Sequence, residues 1–178
     1  MSTLSTEQSE LLAGVRLVAL DVDGVLTDGR LIYAEVGETM RFDARDGIAV
    51  RWLLQAGVQL AWITGRGSHA TARRARELGV EELHTRITDK TAALADVQER
   101  LDIPVSATAS MGDDLPDLAL AARSALFAAP ADARPEVREA ADLVTRAGGG
   151  AGAVRELAEH ILRAKGEWEA LLSRYRSK

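Results

Sequence analysis

The feature that most limits what this chain can fold into is the apolar run Val15–Leu20, VRLVAL, which stops abruptly at Asp21-Val22-Asp23-Gly24. A short, largely aliphatic run without an internal turn residue reads as a strand buried on both faces, the environment of a parallel sheet. It ends in two carboxylates one residue apart, followed by a glycine that can turn the chain. In open α/β sheets ligands sit at the carboxyl ends of the strands, so chemistry is expected there. Asp-x-Asp alone also suits a local use, because aspartate at a strand-to-turn junction bonds its own backbone. The remaining strand ends decide between the two.

The same unit recurs along the chain. Val58–Ile63 reads as a second core strand and stops at Thr64, Gly65, Arg66 and Gly67. Val80–Thr85 is a third, ahead of Thr88, Asp89 and Lys90, and Val105–Met111, opened by Pro104, ends in Gly112, Asp113 and Asp114. Ala125–Ala128 and Asp142–Thr145 read as two further short strands. Helical spacing or capping signals mark 48–55 with Asp46 as N-cap, 68–78 closed by Gly79, 90–101, 118–123 and 135–141. This alternation predicts an α/β fold, a Rossmann-like doubly wound parallel sheet.

Three segments stand outside the alternation. Residues 5–14 read as a short capped helix or a frayed arm, with Ser5 and Gln8 at capping-box spacing. Leu31–Val36 and Thr39–Phe42 flank Gly37 and Glu38, which predicts a β-hairpin flap after the first strand, spanning 29–43. Gly148–Ala153, GGGAGA, has the form of a dinucleotide-binding turn but lacks a following strand with an acidic residue, so it reads as a tight turn or an anion-contacting loop. The C-terminal stretch 153–176 is helical, with Val154, Leu157, Ile161 and Leu162, then Trp168, Leu171, Leu172 and Tyr175, at helical spacing.

With 178 residues and 47% hydrophobic composition, one domain spanning 1–178 is expected. A formal net charge of -5 argues against nucleic acid as a partner. The absence of cysteine removes disulfides, thiolate metal sites and cysteine nucleophiles. No uncharged apolar run approaches the ~20 residues of a membrane span and the start lacks a signal-peptide pattern, so no membrane partner and a cytoplasmic location are expected.

In a doubly wound sheet Asp21, Asp23, Thr64, Lys90, Asp113 and Asp114 share one rim. Carboxylates about 4 Å apart at an effective dielectric near ~20 repel by roughly 4 kcal/mol per pair, so their convergence calls for a cation. The donors are all oxygen, without a histidine cluster or cysteine, which favours Mg²⁺ over zinc. Lys90 in the first turn of its helix opposes the dipole unless an anion lies between the two.

DVDGVLTDG (21–29), ITGR (63–66), Lys90 and GDDLPD (112–117), in this order, resemble the four motifs of the haloacid dehalogenase superfamily of phosphatases. FDARDG (42–47) and AGGGAGAVRE (147–156) extend the likeness to its small capless branch, the 3-deoxy-D-manno-octulosonate 8-phosphate phosphatase family. The resemblance implies a Mg²⁺-dependent phosphomonoester hydrolase acting on a phosphorylated sugar acid, and a homotetramer in which a neighbouring subunit helps close each site. It implies Asp21 as nucleophile, Asp23 as acid and base, Thr64 as a phosphoryl donor and Lys90 as charge neutraliser. It places the metal on Asp21, the Asp23 carbonyl and Asp113, with Asp114 and Asp117 behind, and assigns Arg45, Arg66 and Gly65 to substrate. The chain departs from that branch at Ala151, where relatives often carry arginine, and between Glu38 and Asp46, one residue shorter.

Other readings within and beyond the enzyme class stay open. Another ulosonate phosphate or sugar phosphate would suit the same site. A receiver-type phospho-acceptor domain also gathers aspartates, threonine and lysine on one rim, but its acidic pair comes early and its lysine last, whereas here an acidic pair follows Lys90. Asp23 adds an acid and base that a signalling domain does not need, and a non-catalytic scaffold would not need the full set of motif side chains for turnover that this chain carries.

Overall fold

The computed structural model describes residues 4–33, 35 and 37–176. In chain order these form α1 (Thr6–Gly14), β1 (Leu17–Leu20), β2 (Ile32–Tyr33), β3 (Glu38–Thr39), α2 (Ala44–Gln55), β4 (Gln59–Ile63), α3 (His69–Leu78) and β5 (Glu82–His84). There follow α4 (Lys90–Leu101), β6 (Thr108–Met111), α5 (Leu118–Ala121), β7 (Leu126–Ala129), α6 (Pro135–Ala140), β8 (Leu143–Val144), α7 (Ala153–Ala164) and α8 (Trp168–Arg176). Six strands make one parallel sheet in the order β5-β4-β1-β6-β7-β8, and β2 and β3 pair antiparallel as a separate hairpin.

β1 is central, and its alternating side chains explain why all four of its residues are buried. Val18 and Leu20 pack with Leu12, Val50, Leu53, Leu157 and Ile161 from α1, α2 and α7. Leu17 and Ala19 face the opposite layer, with Leu94 and Val97 of α4 and Leu120 of α5. The chain leaves β1 toward β4 on one side and returns from β5 through α4 to β6 on the other. The strand order therefore reverses at the carboxyl end of β1, the topological position where ligands bind in such sheets.

Local signals set most boundaries. The Ser5–Gln8 capping box starts α1, Ser68 caps α3, and Gly79, at φ +82°, ends it in the left-handed region. Three expectations are corrected. α2 starts at Ala44 and not Ile48, because the Asp43 carboxylate takes the cap by accepting from the Arg45 amide at 2.6 Å. Asp46 is then an interior residue of α2. Residues Val105–Ala107 form a 3₁₀ turn before β6, since the Pro104 carbonyl draws in both the Ala107 amide at 3.0 Å and the Thr108 hydroxyl at 3.0 Å. In the hairpin Glu38 belongs to the ladder opposite Tyr33, not to the turn; Ala34 and Val36 of the expected first strand lie outside the described residues.

Candidate active site

The carboxyl ends of β1, β4 and β6 and the start of α4 enclose a cavity of ≈ 710 Å³ lined by Asp21, Asp23, Thr64, Gly65, Arg66, Lys90, Asp113, Asp114 and Asp117, with Ile87, Thr88, Asp89, Pro116 and Ala119 completing the wall. Asp21 follows β1 directly and is held by its amide, which donates to the Met111 carbonyl at 3.1 Å. The turn after it is knitted by Thr27, whose hydroxyl accepts from the Gly24 amide at 3.4 Å and the Gly29 amide at 3.3 Å. Gly24 is required twice over: its φ is +98°, and a Cβ there would lie 2.1 Å from Asp113 Oδ2.

Lys90 is the first residue of α4, behind the Asp89 cap, and is 7% exposed. Its Nζ donates to Asp21 Oδ1 at 2.5 Å and to Asp117 Oδ1 at 2.5 Å, so the anion expected between lysine and helix dipole is a pair of buried carboxylates. Asp117 is itself fixed, its Oδ2 accepting from the Asp113 amide at 2.9 Å and the Asp114 amide at 3.2 Å. Asp117, expected behind the metal ligands, lines the cavity and is also in direct contact with Lys90. The signal was the Asp114–Asp117 spacing, a capping box that opens a short 3₁₀ turn and swings Asp117 inward while Asp114 caps Leu115 at 2.8 Å.

Thr64 Oγ1 donates to Asp23 Oδ2 at 3.3 Å and accepts from the Arg66 amide at 3.1 Å. The Arg66 guanidinium lies 3.7 Å from Asp23 and donates to Glu38 of the hairpin at 2.6 Å, which ties β3 to the cavity mouth. Glu38 was missed as a site neighbour, because nothing local pairs a hairpin glutamate with an arginine 28 residues away. Arg45 does not line the cavity. Its guanidinium binds the Asp43 carboxylate at 2.7 Å and the Ala151 carbonyl at 3.1 Å.

Burial raises the Asp21 carboxyl to about 7, reinforced by repulsion from Asp117 and opposed by Lys90. Burial likewise lifts Asp113 to about 7, with Asp117, Asp21 and Asp114 adding repulsion. Asp23 is raised by burial against the opposing Arg66 charge and Thr64 hydrogen bond. For Lys90, burial works toward a lower pKa, but Asp21 and Asp117 outweigh it and raise the ammonium above its ordinary value. One ammonium thus faces a cluster that carries more negative charge than it can neutralise.

The cluster suits a divalent cation. Asp21, Asp113 and Asp117 bring carboxylate oxygens within 4.8 Å of one another, and Asp113 Oδ1 is buried without a hydrogen-bond partner among the described residues. An orphaned buried carboxylate oxygen in an all-oxygen set is what a hard cation would complete. The glycine loop 148–152 does not reach the cavity; it packs on the back of the Gly24–Asp28 turn.

Comparison with known proteins places the chain in a family. Residues 79–156 match the family model for haloacid dehalogenase-like hydrolases. The chain is 40% identical over 154 residues to the 3-deoxy-D-manno-octulosonate 8-phosphate phosphatase of Escherichia coli K12, covering 86% of this chain and 82% of that one. The crystal structure of the Moraxella catarrhalis 3-deoxy-D-manno-octulosonate 8-phosphate phosphatase, in complex with magnesium, phosphate and KDO, is 37% identical with a TM-score of 0.92 over 96% of this chain and 99% of that one. A cobalt-bound Haemophilus influenzae deoxy-D-mannose-octulosonate 8-phosphate phosphatase superposes with a TM-score of 0.85 at 38% identity, over 88% and 92%. On this likeness across most of its length, with the acid-lined rim its motifs build, the chain belongs to the haloacid dehalogenase-like hydrolases, in the 3-deoxy-D-manno-octulosonate 8-phosphate phosphatase family of phosphatases.

Proposed function

We propose that the chain hydrolyses 3-deoxy-D-manno-octulosonate 8-phosphate to the sugar acid and inorganic phosphate, with Mg²⁺, through a phosphorylated Asp21. The observation that carries this is the placement of Asp21 against Lys90 at 2.5 Å, with Asp23 two residues on and the orphaned oxygen of Asp113 beside them. Asp21 Oδ attacks phosphorus and the bond from phosphorus to the ester oxygen breaks. Asp23 gives its proton to the departing oxygen, then takes one from the water that attacks the aspartyl phosphate at phosphorus, breaking its bond to Asp21 and releasing inorganic phosphate and the free carboxylate. Those steps need Asp21 ionised and Asp23 protonated at the outset. Burial and Asp117 work against the first and the Lys90 charge works for it, while burial of Asp23 favours the second.

Asp21, the Asp23 carbonyl and Asp113 would hold the metal, which when bound supplies charge to orient the phosphoryl group and to keep the Asp21 carboxylate ionised. Asp114 and Asp117 support that set, Asp117 through the Asp113 amide. Thr64 and Gly65 would face the phosphoryl oxygens. Lys90 would neutralise charge on the transferring group, where preorganised electrostatics carry much of the rate. Arg66, at the cavity mouth, suits the substrate carboxylate, since guanidinium binds carboxylates in bidentate fashion. Arg45, in α2 and held by the Asp43 carboxylate and the Ala151 carbonyl of the glycine loop, would reach substrate only from outside this cavity.

The chain works as one domain, 1–178, and assembles with copies of itself. Leu31, Ile32 and Tyr33 of the hairpin are 42%, 52% and 73% exposed. A two-stranded hairpin is marginal alone, and a tetramer covering this face fits both facts. Among the described residues no helix is long and apolar enough to cross a membrane.

The test is phosphate release from a panel of sugar phosphates and ulosonate phosphates, with Mg²⁺ and with chelator. Mg²⁺-dependent preference for the eight-carbon ulosonate phosphate supports the reading. Preference for another member of the panel replaces the substrate and keeps the chemistry, and absence of release from every member refutes both.

A further inference from the structure

We propose that Asp46 is a positioning residue for the metal-binding turn at Asp23–Gly24, acting through the glycine loop 148–152. The inference rests on the metal site proposed above. Asp46 lies in α2, is 1% exposed and does not line the cavity. Its Oδ1 accepts from the Arg155 amide at 2.7 Å and its Oδ2 from the Gly152 amide at 3.2 Å. Those amides belong to the start of α7, whose own cap position, Gly152 at φ +111°, has no side chain to offer. A helix begins with amides that lack intrahelical partners, and a capping carboxylate normally comes from the adjoining residue. Here it comes from a helix 106 residues earlier in the chain, which pins the first turn of α7 to α2.

The loop that leads into α7 has no slack between that pin and the catalytic turn. A Cβ on Gly149 would lie 1.7 Å from the Gly24 carbonyl oxygen, and one on Gly150 2.5 Å from the Thr27 carbonyl carbon. The Gly150 amide donates to the Val25 carbonyl at 2.9 Å. On its other side Gly24 meets the Asp113 carboxylate, where a Cβ would lie 2.1 Å from Oδ2. The turn is thus held between the glycine loop and Asp113. A shift of the α7 start is transmitted by backbone contact to Gly24, and from there to the Asp23 carbonyl and the Asp113 carboxylate, two of the three proposed metal ligands. Residues that orient metal ligands from outside the first coordination sphere change metal affinity by about 10- to 100-fold when removed.

The test is calorimetric titration of the full chain with Mg²⁺, with thermal unfolding and steady-state kinetics alongside, for wild type, Asp46→Ala and Asp46→Asn. The expected result for Asp46→Ala is a Mg²⁺ dissociation constant raised about 10-fold and a fall in kcat larger than any change in KM. Asp46→Asn, which keeps an acceptor for the Arg155 amide, should recover part of both. Gly149→Ala, which presses on Gly24 directly and leaves the cap intact, should weaken Mg²⁺ in the same direction, and it decides the matter if Asp46→Ala does not fold. A folded Asp46→Ala or Gly149→Ala with wild-type Mg²⁺ affinity overturns the positioning role, whatever its melting temperature. A folded wild-type chain that binds no Mg²⁺ overturns instead the metal site on which the inference stands.

Discussion

Replacing Asp113 by Asn should stabilise the metal-free chain while removing its response to Mg²⁺. Asn keeps the shape that packs on Gly24 but removes a charge that the fold disfavours: the Asp113 carboxyl is raised by burial, then by Asp117, Asp21 and Asp114, from 3.8 to about 7. Because the folded pKa exceeds the unfolded one, the folded state binds the extra proton. The penalty for ionisation is absent below the unfolded value, grows as pH rises through the interval up to about 7, and is complete above it. At ~1.4 kcal/mol per pH unit that rise corresponds to at most about 4 kcal/mol, reduced by solvent screening of the part of the carboxyl that stays exposed. For a chain of this length each kcal/mol moves the melting temperature by about 2–4 °C, so the variant in chelator at mildly alkaline pH should melt up to about 8–16 °C above wild type. Thermal unfolding followed across pH, with chelator and with Mg²⁺, reads this out. The gap should close as the medium is acidified, and Mg²⁺ should raise the wild-type midpoint while leaving the variant where it was. A variant that melts below wild type at every pH in chelator, or that gains as much as wild type from Mg²⁺, would refute the electrostatic account of the cluster.

Two further substitutions separate the roles around it. Asp23→Asn should abolish turnover yet keep most Mg²⁺ affinity, since its proposed metal contact is the backbone carbonyl; parallel loss of both in titration and kinetics would show that assignment to be wrong. Lys90→Met removes the ammonium shared by Asp21 and Asp117, and should lower kcat by about 10²–10³. It should also destabilise the metal-free chain by about 3–5 kcal/mol in chemical denaturation at mildly alkaline pH. That deficit should shrink on acidification, as the carboxylates it leaves unpaired take up protons; a deficit independent of pH would mean that Lys90 acts by packing.

What was legible in the sequence was what is local. β1, β4 and β7 announced themselves as apolar runs, and Asp21, Asp23 and Thr64 as the polar groups that follow β1 and β4, because a parallel sheet buries its strands on both faces and exposes their ends. Lys90 stood out for the same reason, a cation at a helix start where anions are usual. What the sequence hid lies in contacts between distant segments. Asp46 looked like the cap of the helix that follows it, since a capping aspartate is recognised by its neighbours, and its true partners are the Gly152 and Arg155 amides of α7. GGGAGA could be read as a turn but not as a wedge on Gly24, because the close approach that excludes side chains at Gly149 and Gly150 comes from a backbone more than 100 residues earlier. Asp117 fell between the two: its spacing from Asp114 was visible, but its turn toward Lys90 depends on how the 3₁₀ turn meets the start of α4. The hairpin was placed correctly after β1, with its register shifted by Glu38, whose side chain is drawn to Arg66.

The central claim is that Asp21 carries the phosphoryl group during turnover. Its most direct test is a single-turnover reaction with Mg²⁺ and the eight-carbon ulosonate phosphate, quenched in acid and analysed by peptide mass. The prediction is a transient gain of one phosphoryl group on the peptide that contains Asp21, absent in Asp21→Asn, which should stay folded and lose turnover by at least about 10³-fold. Full single-turnover phosphate release with no modified peptide at any quench time, or substantial activity in Asp21→Asn, would contradict it.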